Sequence, residues 1–205
     1  MEDGHADMNF MRLNSIHYVQ YRLGLAAAST QTTEAERACL RRHATGKMRL
    51  VEIGVWHGVN TRAFREAMSP EGVVIAIDPF QRFFFGIRGF GWARRIAHRE
   101  VEKTRNGRVL WIERLGKEVP ALAEVQPFLP VDFIFIDGDH SCEGLRDDWQ
   151  AWKDHVAAGG IVALHDSRGR NGCGSERFTQ DVILKDPGFA RTEEIDSLTI
   201  LRRKA

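Results

Sequence analysis

Residues 49–60 read RLVEIGVWHGVN, a short apolar run that leads directly into a glycine turn and the start of a helix. A continuous apolar run of this length is typical of a strand that is covered on both faces in a parallel sheet. Gly54 and Gly58 allow the backbone to approach a ligand closely, and the N-terminus of the following helix favours a carboxylate or another anionic group. This stretch therefore predicts the first strand and the ligand-binding turn of an α/β fold.

The same rhythm of strand and helix continues along the chain. Further apolar runs occur at Val73–Ile77, Val109–Ile112, Phe133–Ile136 and Ile161–Leu164. Helices are predicted between them at Thr61–Met68, Trp92–Thr104, Val119–Val125 and Leu145–Val156, the last ending at Gly159-Gly160. Two more strands, near 190–195 and 198–202, are linked by only two residues and predict an antiparallel hairpin. We predict a doubly wound α/β fold with a seven-stranded, mostly parallel sheet and an antiparallel C-terminal hairpin.

The N-terminal part of the chain has weaker signals. Residues 33–36 (TEAE) predict a capping box that opens a helix extending to about Ala44. We interpret residues 1–45 as a leader and helix that serve as a lid or a dimer contact, and residues 46–205 as the main domain. An aromatic, glycine-punctuated loop from Phe80 to Trp92 is a candidate wall for a substrate pocket, or a loop that packs on its own core or on a dimer partner.

Composition and charge exclude several classes of protein. Among 205 residues there are 29 Lys plus Arg and 28 Asp plus Glu, so no bulk positive field gathers nucleic acid or anionic lipid. The three cysteines lack C-x-x-C spacing, which argues against a disulfide framework or a cysteine zinc site. No basic signal region and no apolar run of membrane length is present. We expect a cytoplasmic protein that acts on a small molecule, without a nucleic-acid or membrane partner, and forms a homo-oligomer, most simply a dimer.

The first two strand ends indicate a nucleoside ligand. The second strand ends at Asp78, whose carboxylate can accept both hydroxyls of a ribose. The turn has the pattern E-x-G-x-x-x-G instead of G-x-G-x-x-G, and bulky Trp56 and His57 lie between its glycines. A pyrophosphate fits this turn poorly, which disfavours a nicotinamide oxidoreductase. A ligand with an amino-acid end fits better, because Glu52 can help to hold an ammonium group while backbone N–H groups bind a carboxylate.

The fourth and fifth strands end in acidic clusters. Residues 137–141 read DGDHS and residues 165–167 read HDS. Because adjacent strand ends converge on one cleft, their carboxylates offer the oxygen ligands that a hard cation such as Mg²⁺ requires. Asp137 follows a fully apolar strand, where a carboxylate needs a cation, a donor or a ligand to compensate its desolvation. The simpler alternative is that Asp139 caps the next helix and His140 only hydrogen-bonds a loop.

These residues resemble the class I S-adenosylmethionine-dependent methyltransferases over roughly Arg49 to Leu201. Within that family the sequence is most similar to small bacterial methyltransferases related to the catechol O-methyltransferase group, which carry the segment IDGDHS found here at residues 136–141. The resemblance implies S-adenosylmethionine as cofactor and a set of residues around it. These cofactor-binding residues are Glu52, Gly54, Gly58, Asn60, Asp78 and Asp137, with Asp78 at the ribose and the glycine-turn residues at the methionine part.

The resemblance also implies a metal and a base. In the metal-dependent relatives an aspartate after strand four and an Asp-Asn pair after strand five hold the ion, which corresponds to Asp137 and Asp166 here. Ser167 replaces the asparagine, so His165 or a water would complete the ligand set, and a histidine ligand favours Mn²⁺ over Mg²⁺. The relatives' lysine base is replaced by His140, which can act as a base near neutral pH; His165 is the second candidate.

We therefore expect a methyltransferase that transfers a methyl group from S-adenosylmethionine to a hydroxyl of a small acceptor, assisted by a divalent metal ion. Two alternatives remain open at this point. One is a metal-independent N- or O-methyltransferase in which positioning alone drives the reaction. The other is a nucleoside-binding protein without catalytic turnover.

Overall fold

The computed structural model describes residues 15–80, 91–169 and 174–205. A first helix, α1, includes residues 15–22. The other helices are α2 (Glu34–Ala44), α3 (Val59–Ala67), α4 (Trp92–Val101), α5 (Cys142–Trp152) and α6 (Gly174–Asp181). The strands are β1 (Arg49–Ile53), β2 (Val73–Ile77), β3 (Arg108–Ile112), β4 (Val131–Ile136), β5 (Val156–Leu164), β6 (Phe189–Ile195) and β7 (Leu198–Arg203).

The seven strands form one sheet with the order β3-β2-β1-β4-β5-β7-β6. The first five strands are parallel, and β7 pairs antiparallel with both β5 and β6. The chain order reverses between β1 and β4, which is where open α/β sheets bind their ligands. The predicted fold class, including the antiparallel C-terminal hairpin, is confirmed.

Helices cover both faces of the sheet. On one face, Trp149 and Trp152 of α5 and Phe178 of α6 pack into the larger apolar cluster. On the other, Leu40 of α2 and Phe64 of α3 pack against the opposite side chains of the same strands. This double coverage explains why the central strands are continuously apolar, since both sets of their side chains are buried.

Two predictions about local structure are wrong. Residues 119–125 do not form an α-helix; two short 3₁₀ turns, Gly116–Ala121 and Gln126–Phe128, occupy this connection, and each contains a proline that lacks the N–H needed by a helix. The fifth strand begins at Val156 instead of Ile161. Gly159 and Gly160 therefore lie inside β5, where the pairing with β4 shifts register and Gly159 has φ +75°.

The predicted capping box of α2 is confirmed. The Thr33 side chain accepts a hydrogen bond from the amide of Glu36, and the Glu36 carboxylate accepts one from the amide of Thr33. Leu40 and Ala44 of this helix are buried against the sheet, so α2 is an integral part of the fold. Among the described residues, no helix is long and apolar enough to cross a membrane.

Candidate active site

A cavity of about 870 Å³ opens at the carboxyl ends of β1, β2 and β4. Its lining includes four of the predicted cofactor residues, Gly54, Asn60, Asp78 and Asp137, together with the predicted base His140. Glu52, Gly58, His165 and Asp166 lie behind this lining. The structure therefore divides the predicted site into residues that face the cavity and residues that support it.

The two glycines of the turn have different functions. Gly54 has φ +90°, and a Cβ there would lie 2.0 Å from the carbonyl oxygen of Asp137, so this glycine lets β1 and the end of β4 approach closely beside the cavity. Gly58 has φ +75°, and a Cβ there would lie 2.9 Å from Val101. Gly58 thus allows α3 to pack against α4. It does not line the cavity, although the sequence predicted that it would contact the cofactor.

Asp78 organises the turn as well as facing the cavity. Its Oδ2 accepts hydrogen bonds from the amides of Val55 (2.9 Å) and Trp56 (2.8 Å), and its Oδ1 accepts one from Phe80 (2.6 Å). Burial raises the pKa of Asp78, although these amides oppose the shift. A carboxylate accepts about four hydrogen bonds, so Asp78 retains room for about one ligand hydroxyl, where the sequence predicted two.

Glu52 is fully buried beneath the turn. Thr61 donates a hydrogen bond to its Oε2, whereas Oε1 has no hydrogen-bond partner. Burial raises the pKa of Glu52 well above its usual range, and the nearby carboxylates of Asp137 and Asp78 raise it further. Since its side chain does not line the cavity, Glu52 can influence a bound ammonium group only from below the turn.

The N-terminal leader forms one wall of the cavity. Residues 29–31 line it, and this segment is held by two hydrogen bonds to the glycine turn and α3. The amide of Ser29 donates to Nδ1 of His57 (3.1 Å), and Thr32 Oγ1 donates to Asn60 Oδ1 (3.1 Å). Burial, with a smaller contribution from His17, lowers the pKa of His57 to about 4, so His57 is a neutral acceptor here. The aromatic loop predicted as another wall lies mostly outside the described residues.

His140 faces the cavity with a carboxylate behind it. Its Nδ1 lies 3.4 Å from Oδ2 of Asp166, whose side chain is 8% exposed while that of His140 is 41% exposed. Ser175, at the start of α6, holds both loops: its amide donates to the carbonyl of His140 and its hydroxyl to the carbonyl of Asp166. Sequence reasoning missed Ser175, because nothing local predicts that α6 returns to this sheet edge.

His165 lies in a buried group of carboxylates. Its Nδ1 is 2.8 Å from Asp137 Oδ1 and 3.7 Å from Asp166 Oδ1, and its Nε2 is 3.4 Å from Glu36 Oε2. Burial alone would lower the pKa of His165, but the carboxylates of Asp137 and Glu36 outweigh it and raise the pKa to about 10. His165 is 1% exposed and does not line the cavity, so neither of its nitrogens reaches an acceptor there. Nδ1 forms an ion-pair contact with Asp137 but makes no hydrogen bond within the described residues.

The structure brings only part of the predicted metal-ligand set together. His165 Nδ1 contacts both carboxylates that were expected to coordinate the ion, at 2.8 Å from Asp137 Oδ1 and 3.7 Å from Asp166 Oδ1, so the three residues contact one another as an ion-paired group. Ser167, at the third expected ligand position, is fully buried and turned to the hairpin, where its hydroxyl contacts Leu164, Ser197 and Thr199. Ser167 is therefore directed away from Asp137 and Asp166.

A different group, Cys39, His43 and Glu193, has ligand atoms that all lie within 4.8 Å of one another in the described residues. Arg42 already neutralises it, because its guanidinium lies 2.5 Å from Glu193 and 3.6 Å from the sulfur of Cys39. Burial and the charge of Glu193 raise the pKa of the Cys39 thiol to about 11, which disfavours the thiolate that a metal would bind. This group is an ion-paired contact between α2 and β6.

Comparison with known proteins agrees with this architecture. A family model described as "Methyltransferase domain" matches residues 51–167, which is more than half of the chain. The chain belongs to this family of methyltransferases. Its fold is that of the class I S-adenosylmethionine-dependent methyltransferases, as the sequence predicted. A search of curated protein sequences returned no match.

Solved structures of other methyltransferases share the fold at low sequence identity. The O-methyltransferase TomG from Streptomyces achromogenes, in complex with S-adenosylmethionine, is 15% identical, with both chains fully covered and a TM-score of 0.65. An O-methyltransferase from Bacillus cereus in complex with S-adenosylhomocysteine is 18% identical, covering 95% of this chain and 90% of its own, with a TM-score of 0.64. An rRNA methylase from Streptococcus thermophilus is 12% identical, covering 86% of this chain and 100% of its own, with a TM-score of 0.58.

Proposed function

We propose that this methyltransferase transfers a methyl group from S-adenosylmethionine to a hydroxyl of a small-molecule acceptor, with His140 as the general base and without a divalent metal. The observation that carries the proposal is the position of His140. Its side chain lines the cavity, and its Nδ1 lies 3.4 Å from the carboxylate of Asp166. A base at the cavity with a carboxylate behind it is the arrangement that removes a proton from an acceptor hydroxyl.

The cavity residues fit the cofactor. Gly54 opens the backbone beside Asp137, Asn60 is at the first turn of α3, and Asp78 retains an acceptor position for a ribose hydroxyl. Oε1 of Glu52 is buried without a partner below the turn, where an ammonium group above it would offset the desolvation of this carboxyl group. When bound, S-adenosylmethionine supplies an electrophilic methyl group on a sulfonium.

His140 and Asp166 divide the work of proton transfer. Because Asp166 lies at Nδ1 of His140, a proton on Nδ1 is stabilised and Nε2 is left with a lone pair. Asp166 then stabilises the imidazolium that forms when Nε2 takes the acceptor proton. Ser175 holds the two residues next to each other, because it donates hydrogen bonds to the backbone carbonyls of both.

The charge of the cavity supports a small acceptor over a nucleic acid. Its lining contains six carboxylates, Asp78, Asp137, Asp139, Glu143, Asp147 and Asp148. Its cationic side chain Lys117 is paired with Asp147 at 2.9 Å. A negative cavity attracts the positively charged cofactor and repels a polyphosphate backbone. An RNA acceptor is therefore disfavoured, and an uncharged or cationic hydroxyl compound is favoured.

The test is methyl transfer to a panel of small phenols, catechols and sugar-like alcohols, followed as formation of S-adenosylhomocysteine. Parallel panels contain amines, to test N-methylation, and structured RNA. We expect turnover on a hydroxyl acceptor that survives prolonged treatment with EDTA. Turnover restricted to amines or to RNA, or activity that is lost in EDTA and restored by Mg²⁺ or Mn²⁺, would contradict the proposal.

A further inference from the structure

Glu36 is a buried carboxylate that joins the cap of α2 to the active-site region. Its side chain is 1% exposed. Oε1 accepts hydrogen bonds from the amide of Ser197 (2.9 Å) and from its hydroxyl (2.8 Å), in the turn between β6 and β7. Oε2 accepts from the amide of Thr33 (2.8 Å) and lies 3.4 Å from Nε2 of His165. One carboxylate thus contacts α2, the C-terminal hairpin and the end of β5.

His165 carries this contact on to the cavity. The two nitrogens of an imidazole lie on different sides of the ring, so a carboxylate at Nε2 determines the direction of Nδ1. Here Nδ1 lies 2.8 Å from Oδ1 of Asp137, an ion-pair contact without a hydrogen bond, and Asp137 lines the cavity against Gly54 of the glycine turn. The ring itself is enclosed, with Phe135 and His140 as aromatic neighbours at centroid distances of 6.3 Å.

We propose that Glu36 is a positioning residue for cofactor binding: it holds His165 by Nε2, so that Nδ1 fixes the Asp137 carboxylate at the wall of the cavity. This inference rests on the proposed function in one respect, namely that S-adenosylmethionine occupies the cavity. It assigns to α2 a part in the binding site that the sequence of this helix does not reveal.

A capping function alone does not account for Glu36. A capping box needs one carboxylate oxygen at one amide, and the glutamate of such a box usually stays at the surface. Glu36 is almost completely buried and is surrounded by donors from three segments. Of its two oxygens, Oε2 serves the cap and also faces Nε2 of His165, whereas Oε1 binds only the hairpin turn.

The test compares two variants of the same capping box. Glu36→Gln keeps the shape of the side chain and one acceptor oxygen but removes the charge that faces His165. Thr33→Ala is the matched control, because it removes the other side chain of the box and leaves Glu36 against His165. The readouts are the affinity for S-adenosylmethionine by calorimetry, the free energy of unfolding, and the imidazole nitrogen and proton signals of His165 by NMR.

We expect Glu36→Gln to lose more stability than Thr33→Ala, because more buried contacts depend on the carboxylate. Only Glu36→Gln should weaken cofactor binding, by about tenfold, and shift the His165 signals. Equal affinities of Glu36→Gln and Thr33→Ala would overturn the inference and reduce Glu36 to a helix cap. If Glu36→Gln does not fold, the wild-type NMR spectrum decides: a hydrogen-bonded, exchange-protected proton on Nε2 of His165 supports the inference, and its absence overturns it. Failure of the wild type to bind the cofactor would instead contradict the proposed function.

Discussion

The glycine turn and the buried group around His165 are built in opposite ways. The turn is local: residues 49–60 supply the strand, both glycines and the start of α3, and Asp78 joins them from the neighbouring strand. The group around His165 is assembled from α2 and from the ends of β4 and β5. The turn can therefore be recognised in a short stretch of sequence, whereas the buried group forms only when distant segments come together in the fold.

The comparison implies different responses to substitution, and the largest concerns His140. His140→Gln should lower kcat by at least about 100-fold, because the base is lost while the cofactor turn is untouched. Affinity for S-adenosylmethionine should stay within about twofold of the wild type. The measurements are steady-state kinetics on the best acceptor and calorimetric titration of the cofactor. His155→Gln, outside the cavity lining, is the control; a kcat unaffected in His140→Gln would exclude this base.

The second prediction concerns backbone contacts of the turn. Gly54→Ala should destabilise the protein by about 3 kcal/mol, because a Cβ at φ +90° would also meet the carbonyl of Asp137. Gly46→Ala is the matched control, since Gly46 has φ +70° but open space where its Cβ would be. It should cost about 1 kcal/mol. Urea unfolding measures both, and equal losses would show that the close approach to Asp137 is unimportant.

The third prediction separates cofactor binding from chemistry. Asp78→Asn should weaken binding of S-adenosylmethionine by about 10- to 100-fold, because an amide replaces one acceptor oxygen at a site crowded with donors. With saturating cofactor, kcat should fall much less. Calorimetry and kinetics at high cofactor concentration test this, and a loss confined to kcat would place Asp78 with the acceptor side instead.

The smallest effect is a pH dependence of stability that belongs to His165. Its pKa is about 10 in the folded protein and about 6.5 when unfolded, so its stabilising contribution is complete below about pH 6.5 and is lost as the pH rises toward 10. Between pH 6.5 and 8 the free energy of unfolding should fall by about 1–2 kcal/mol.

Urea unfolding at these two pH values measures this loss, with His165→Asn as the variant in which the slope should flatten. The window stays below the pH range in which the Cys39 thiol and the Tyr21 phenol, whose pKa values are raised by burial, titrate in the folded protein. The buried carboxyl group of Glu52, whose pKa is also raised, adds to the loss of stability with rising pH, so His165→Asn should remove only the part of the slope that belongs to His165. A wild-type stability that does not change between pH 6.5 and 8 would show that His165 is not held as an imidazolium.

The difference between the two regions also explains what could be predicted from sequence. β1, β2 and the cap of α2 were predicted correctly, because apolar runs, glycines and the Thr33–Glu36 spacing are local signals. The prediction of a helix at 119–125 is wrong. Its apolar residues favoured a helix, but Pro120 lacks the backbone N–H that an α-helix needs, and a 3₁₀ turn forms there instead.

The site was predictable only as a set of strand ends. Adjacent ends bring Asp78, Asp137, His140 and Asp166 to one edge of the sheet, as expected. His165 and Glu36 are in contact although they lie about 130 residues apart in the sequence. No local pattern therefore indicates that His165 is buried or which acidic residue faces which of its nitrogens. This contact also bears on the predicted metal site, because it pairs His165, one of the expected ligands, with the carboxylates of Glu36 and Asp137.

The central claim is tested most directly by isothermal titration calorimetry of S-adenosylmethionine into the purified protein, in EDTA and again with Mg²⁺ or Mn²⁺. The account predicts one cofactor bound per chain with the same affinity in all three conditions. Binding that requires the metal would contradict the proposal that the enzyme works without a divalent metal. A folded protein that binds no S-adenosylmethionine in any condition would contradict the central claim itself.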